Sequence, residues 1–300
     1  MPRGRNRLDS TLLPETRRLL RRYGLHARKR LGQHFLVDRQ VLEIILEAAA
    51  LTPDDLVIEV GPGLGVLTRE LAKRAGRVIA VELDDRLAAA LREEFTSLHN
   101  VTVINGDILK LDPAGLLREA GLVAEPGSPV NYKVVANLPY YITAPVLRHF
   151  LEASLRPQTL VVMVQKEVAE TIAARPGRMS LLSISVQFYG EPMIVDYVPA
   201  VSFYPVPEVD SAVLKIGVYS EPRVTVDDED GFFKLVRAGF SAARKQLVNS
   251  MSQGLGSSRE QVMPLLAEAA IEPRRRAETL TIDEWAQLWV VFAKSGGGTC

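Results

Sequence analysis

Five short runs rich in Val, Ile and Leu are spaced along the first half of the chain: LVIEV at 56–60, VIAVEL at 78–83, VTVIN at 101–105, YKVVANL at 132–138 and LVVMVQ at 160–165. Their apolar residues are nearly continuous, not alternating, as in strands of a parallel sheet buried on both faces. Helical stretches fall between them at 66–75, 84–96, 114–120 and 144–154, the order that βαβ crossovers require. A further helix precedes the first run, where Val41, Ile44, Ile45 and Ala48 recur at helical spacing behind Asp38 as its N-cap, and Pro53 closes it. ISVQFYGEPMIVDYV at 184–198 and AVLKIGVY at 212–219 read as antiparallel strands that close the sheet. Beyond 221 the character changes to helices at 230–240, 243–253, 259–269 and 281–293, reached through the linker EPRVTVDDED. The expected architecture is a basic N-terminal extension at 1–27, an α/β domain at 28–220, a smaller all-helical domain at 221–295 and a disordered tail at 296–300. Within the extension, 13–24 reads as a short basic helix with Leu13, Leu19 and Leu20 as its apolar contacts.

The 300 residues, 47% apolar, bury a core of that size. No run of about eighteen apolar residues exists to span a membrane. Cys300, the last residue, is the sole cysteine, which excludes disulfides, iron–sulfur clusters and thiolate zinc sites and fits a reducing compartment. His26, His34, His99 and His149 show no metal-ligand spacing. The formal net charge is zero but unevenly placed. Residues 1–37 carry ten Lys and Arg against Asp9 and Glu15, and 234–276 carry eight against Glu260, Glu268 and Glu272, while the stretch between is acidic. Basic ends on a neutral chain point to a polyanion held by particular surfaces. The Arg-rich, acid-poor start also fits an organelle transit peptide, against which stand its few serines and its direct passage into the motif at 28–38.

The first strand turns into the first helix at Glu59-Val60-Gly61-Pro62-Gly63-Leu64-Gly65. Glycines there let backbone pass close to a ligand, and a helix N-terminus adds positive potential. Glu82, ending the second strand, also suits the ribose-binding acid of a nicotinamide dehydrogenase. The spacing is G-x-G-x-G, however, where the dinucleotide turn has G-x-G-x-x-G and uses its third glycine for packing around a pyrophosphate. S-adenosylmethionine has no pyrophosphate, so that requirement lapses. Glu82 then accepts both ribose hydroxyls, and Asp107, in NGD after the third strand, accepts from the adenine amine of the cofactor. Gly, Glu and Asp at three successive strand ends mark the carboxyl edge where open α/β sheets bind ligands.

Asn137-Leu138-Pro139-Tyr140 closes the fourth strand. An adenine amine is a poor nucleophile because its lone pair is delocalised into the ring. Two acceptors that bind both its N–H bonds pull the nitrogen towards tetrahedral geometry. Asn137 Oδ1 is one candidate and the Leu138 carbonyl the other, since Pro139 fixes the turn and removes a competing N–H. Tyr140 is placed to stack on an extruded base and to favour a nearby sulfonium with its ring face. Phe203, in a second aromatic loop stiffened by Pro205 and Pro207, is the candidate for the opposite side of the base pocket.

Together with RKRLGQHFLVD at 28–38, EVGPGLGVLT at 59–68, VELD at 81–84, GD at 106–107, NLPYYI at 137–142, FYPVPEVDSAVL at 203–214 and FSAARKQLVNSM at 240–251, these residues resemble the ribosomal RNA adenine N6,N6-dimethyltransferase family over nearly the whole chain. The resemblance implies a Rossmann-like S-adenosylmethionine-dependent methyltransferase domain. It implies that Gln33, His34 and Leu36 cover the cofactor, and that Gly61, Gly63, Glu82, Asp107 and Asn137 contact it. His34 departs from the bacterial pattern, which has asparagine there; an imidazole donates one hydrogen bond as the amide does. The product implied is dimethyladenine at two adjacent adenines in a hairpin loop near the 3′ end of small-subunit (16S) RNA. The setting implied is a cytoplasmic, monomeric enzyme on an immature 30S particle, with a role in small-subunit biogenesis. Arg28, Lys29, Arg30, Arg244, Lys245, Arg274, Arg275 and Arg276 are the expected RNA contacts. Two alternatives stay open at this point: a non-catalytic ribosome assembly factor, and a large-subunit methylase of the erythromycin-resistance type.

Overall fold

The computed structural model describes residues 11–28, 31–120, 131–242 and 244–297. Among these residues no helix is long and apolar enough to cross a membrane. In chain order the elements are α1 (Leu13–Arg22), β1 (Phe35–Leu36), α2 (Arg39–Ala49), β2 (Leu56–Val60), α3 (Val66–Ala72), β3 (Arg77–Glu82), α4 (Asp85–Glu94), β4 (Val101–Asn105), α5 (Pro113–Glu119), β5 (Tyr132–Asn137), α6 (Thr143–Leu151), β6 (Thr159–Gln165) and α7 (Lys166–Ile172). They continue with α8 (Leu181–Tyr189), β7 (Gly190–Val198), β8 (Phe203–Tyr204), β9 (Ser211–Val218), α9 (Glu229–Phe240), α10 (Leu247–Leu255), α11 (Arg259–Glu268) and α12 (Ile282–Phe292).

The described residues form a seven-stranded sheet in the order β4-β3-β2-β5-β6-β9-β7. Strands β2 to β6 are parallel, and β9 is antiparallel to β6. From β2 the chain steps outward to β4, then returns to the other side of β2 as β5. The strand order therefore reverses between β2 and β5, and a crevice opens at their carboxyl ends. Every residue of β2 is buried, as are the central residues of β5 and β6, because helices cover both faces. A second, two-stranded sheet pairs β1 with β8 antiparallel, setting Leu36 opposite Phe203.

Two compact units result: one holds the chain up to Ala169 with Met193–Val218, the other Glu170–Pro192 with the chain from Tyr219 onward. This division differs from the sequence expectation, which gave 28–220 to the α/β domain without interruption. The stretch expected to begin a strand at 184 is instead α8. Ser180 accepts from the Ser183 N–H in a capping box, and Ile184, Val186, Phe188 and Tyr189 are all buried. A helix buried on most sides shows no polar face, so its β-branched, aromatic sequence carries no helical period.

The described part of the extension packs against the fold. Its helix α1 buries Leu19 and Leu20 in a cluster with Phe35, Leu64 and Leu87. Two of its charges are paired at the edges: Arg22 with Glu93 and Glu94, and Glu15 with Arg69. Residues 1–10 lie outside the described residues.

In the helical unit, Phe188, Tyr189, Phe232 and Phe233 form one ring cluster with centroids 4.8–6.2 Å apart, and Trp285 and Trp289 are fully buried. Gly254 brings α10 close to α9, since a Cβ there would lie 2.4 Å from the Ala238 Cα.

Candidate active site

A cavity of about 270 Å³ opens at the carboxyl ends of β2, β3 and β5, and its lining comes from five stretches of chain far apart in sequence. The turn after β2 supplies Gly61 and Gly63, with φ of +67° and +61°, a backbone region that L side chains enter only at a cost. A Cβ on Gly63 would lie 3.3 Å from the Phe35 ring, so this backbone passes closely beneath the cover segment. Gly65 has a separate reason. A Cβ there would fall 2.5 Å from Phe95 and 2.8 Å from Leu91, at the end of α4. The third glycine thus does serve helix packing, contrary to the sequence argument that the need lapses without a pyrophosphate.

Glu82 closes β3 at 6% exposure. Its Oε2 accepts from the Gly63 N–H at 3.0 Å and its Oε1 from the Asp84 N–H at 2.9 Å. The carboxylate therefore shapes the glycine turn while its remaining lone pairs stay available. Burial pushes its pKa up, and the backbone N–H bonds from Asp84 and Gly63 oppose this. Asp107 caps a short 3-10 turn at Ile108–Lys110 through Oδ1, which accepts from the Leu109 N–H at 3.1 Å, while its other oxygen lies 3.9 Å from Lys110 Nζ. Both acids line the cavity.

Gln33, His34 and Leu36 line its opposite wall. Gln33 is held between the Arg28 N–H and Asp84. Arg28 itself lies 3.1 Å from the buried Asp84 carboxylate. This pair anchors the cover segment through Arg28. Lys29 and Arg30 lie outside the described residues.

Asn137 ends β5 in register with Met163. Its Nδ2 donates to the His34 carbonyl at 3.0 Å. A carbonyl only accepts, so the amide nitrogen must face it and Oδ1 must face the other way. Leu138 is anchored by a buried side chain, 1% exposed, and by its N–H, which donates to Met163 O. Tyr140 is half-buried. Its hydroxyl bonds Ser211 Oγ at 2.8 Å, and the His34 ring stacks on it with centroids 5.8 Å apart and planes 20° from parallel.

Phe203 does not join them. It is 2% exposed, in the core with Leu36, Val198 and Val213, and it does not line the cavity. In the two-residue strand β8 successive side chains point to opposite sides, and Phe203 takes the inward one. The expectation that it closes the base pocket is therefore not met. Among the expected RNA contacts of the helical unit, Arg275 forms a two-pronged pair with Glu284 and also bonds Thr279. Arg244, Lys245, Arg274 and Arg276 are exposed; Lys245 reaches Gln253 and Arg276 lies 3.5 Å from Glu278.

The sequence reading missed Glu59 as a site residue. It lies inside β2 at 1% exposure and lines the cavity. Its Oε2 has no hydrogen-bond partner among the described residues. Burial pushes its pKa up to about 8, with repulsion from Glu82 in the same direction and the Thr68 hydroxyl opposing. The available signal was an acid inside a strand whose other members are all apolar. Leu83 and Tyr141, both about half exposed at the rim, were missed as well. Such a cavity fits a nucleoside carrying a charged tail: it offers two acids at strand ends, a close glycine backbone and a buried polar oxygen awaiting a donor. No group of His, Cys, Asp and Glu among the described residues is arranged to hold a metal.

The chain is similar to known proteins over most of its length. The family model for ribosomal RNA adenine dimethylase matches residues 24–293. A ribosomal RNA small subunit methyltransferase A from Dehalococcoides mccartyi is 52% identical over 285 residues, covering 95% of each chain. Its counterpart in Moorella thermoacetica is 48% identical over 94% of this chain and 98% of its own. Among solved structures, the 23S rRNA methyltransferase ErmE matches with TM-score 0.66 and 30% identity over 86% of this chain and 99% of its own. A dimethyladenosine transferase from Plasmodium falciparum matches with TM-score 0.71 and 24% identity, covering 88% and 98%. With a match that runs from the cover segment through the helical unit, the chain belongs to the ribosomal RNA adenine dimethylase family of S-adenosylmethionine-dependent methyltransferases.

Proposed function

We propose that this chain dimethylates the N6 amines of two adjacent adenines in a hairpin loop near the 3′ end of small-subunit (16S) ribosomal RNA. It does so as a cytoplasmic monomer on an immature 30S particle, and so takes part in small-subunit biogenesis. The small-subunit branch is supported by the contrast between 52% identity to a small-subunit methyltransferase and 30% to the 23S enzyme.

S-adenosylmethionine supplies a methyl group on a sulfonium, which leaves its bonding electrons on sulfur as the new N–CH₃ bond forms. Glu82 would hold the ribose hydroxyls with the lone pairs not used by Gly63 and Asp84. Asp107 would take the cofactor's adenine amine. Gly61 and Gly63 would let the backbone approach, under a cover of Gln33, His34 and Leu36. For the target, Asn137 Oδ1 and the Leu138 carbonyl accept the two N–H bonds of the amine and free its lone pair. The displaced proton leaves to water. Tyr140 stacks on the extruded base, worth about 1–3 kcal/mol.

The observation that carries this reading is the Asn137 amide, whose Nδ2 is committed to His34 O and whose Oδ1 is thereby turned to accept. The test is methyl transfer to particles from cells lacking this gene. Asn137→Ala should lower turnover at least a hundredfold, as loss of an acceptor used in the transition state does, with the circular dichroism spectrum unchanged. Turnover equal to wild type would remove Asn137 from the role.

A further inference from the structure

Tyr140 is the residue on which an extruded adenine would stack, and the structure holds its ring at two points. The phenol hydroxyl bonds Ser211 Oγ at 2.8 Å. Ser211 is fully buried, 0% exposed, at the first position of β9, in register with Gln165 on β6. It does not line the cavity, so it meets neither donor nor base. The second point is His34. Its Nδ1 faces the Pro205 carbonyl at 2.7 Å, which makes that nitrogen the donor and sets the ring plane. The ring lies nearly parallel to Tyr140, and the carbonyl of the same residue holds the Asn137 amide.

We infer that Ser211 is a positioning residue for methyl transfer: with His34 against one face of the Tyr140 ring, the Ser211 hydroxyl locks the ring tip and leaves the opposite face as the seat for adenine. The inference rests on the proposed function and adds a residue to it. A phenol pinned only at its Cβ rotates about χ1 and χ2. One hydrogen bond at the far end of the ring restricts both, and a stacking partner restricts the tilt. A base arriving on the open face then meets a platform already in place, and the ordering cost is not charged to the RNA. The buried hydroxyl of Ser211 in turn has its partner in Tyr140, as a buried polar group requires.

The experiment is a double-mutant cycle on Ser211→Ala and Tyr140→Phe with undermethylated small-subunit particles. Donor affinity is measured separately by calorimetry without RNA, and thermal stability for every variant. Each single variant should lower kcat/KM for the particle by about tenfold, on the scale of one positioning hydrogen bond. The double variant should be no worse than either single one, because both remove the same bond. Donor affinity should stay within twofold of wild type, since Ser211 lies off the cavity. Three results would overturn the assignment: wild-type kcat/KM in Ser211→Ala, losses that multiply in the double variant, or a loss confined to donor affinity or melting temperature. A wild-type enzyme that transfers no methyl to the particle would instead refute the proposed function, and the inference would fall with it.

Discussion

Glu59 offers the sharpest check on the electrostatics of the cavity. It lies at 1% exposure, has an oxygen with no partner among the described residues, and sits near a second buried acid. With an ordinary value of 4.5 raised to about 8, the folded protein keeps this proton long after the unfolded chain has released it. Between those two values the folded state binds more protons than the unfolded state, so stability falls as pH rises. Below 4.5 both states are protonated and Glu59 costs nothing. Above 8 the whole shift is felt, roughly 5 kcal/mol at 1.36 kcal/mol for each pH unit. Glu59→Gln removes the titration while keeping the shape. Any fixed cost of burying the amide is the same at every pH and cancels in the comparison. Denaturant unfolding of both proteins at pH 5.5 and 8.5, without cofactor, should show the variant gaining on wild type by about 3 kcal/mol between the two conditions. Parallel stability curves across that range would mean that Glu59 is charged in the folded protein. The cavity would then contain a counter-charge or a water path that the present geometry does not include.

Two further outcomes follow from the packing of Phe203 and the pairing of Arg275. Phe203→Ala should cost about 3–5 kcal/mol of stability through the cavity it leaves in the core, read by denaturant unfolding; if stability is unchanged and only RNA capture suffers, the residue belongs to the base pocket after all. Arg275→Ala should lower the melting temperature by breaking the pair with Glu284, whereas Arg274→Ala should leave melting unchanged and reduce the salt slope of RNA binding by about one. Equal effects from the two arginines would erase the distinction.

Much of the sheet was legible because local sequence decides it. Runs such as LVIEV and LVVMVQ, short and bounded by turn residues, read as strands buried on both faces, and the helices between them force parallel crossovers. The strand-end residues Gly61, Glu82, Asp107 and Asn137 followed from that, since a parallel sheet brings consecutive carboxyl ends to one edge. They do line one cavity. Helix α8 was not legible: burial on most sides erased the polar face by which a helix is recognised. The net charge of the first 37 residues was plain, but not the fate of the charges on Arg22 and Arg28, which close onto Glu93, Glu94 and Asp84 from distant parts of the chain.

What the sequence determined by itself, then, is chemistry and period: the acids, the glycines, the amide before a proline, and the alternation that makes an open α/β sheet. Which side of a short strand faces inward was decided only by packing, and it buried Phe203. Which way the Asn137 amide points was decided by a carbonyl 103 residues away in sequence. Whether Glu59 holds its proton is decided by how completely water is excluded around it. Direction and desolvation arise from neighbours that are close in space and remote along the chain, so no local pattern records them.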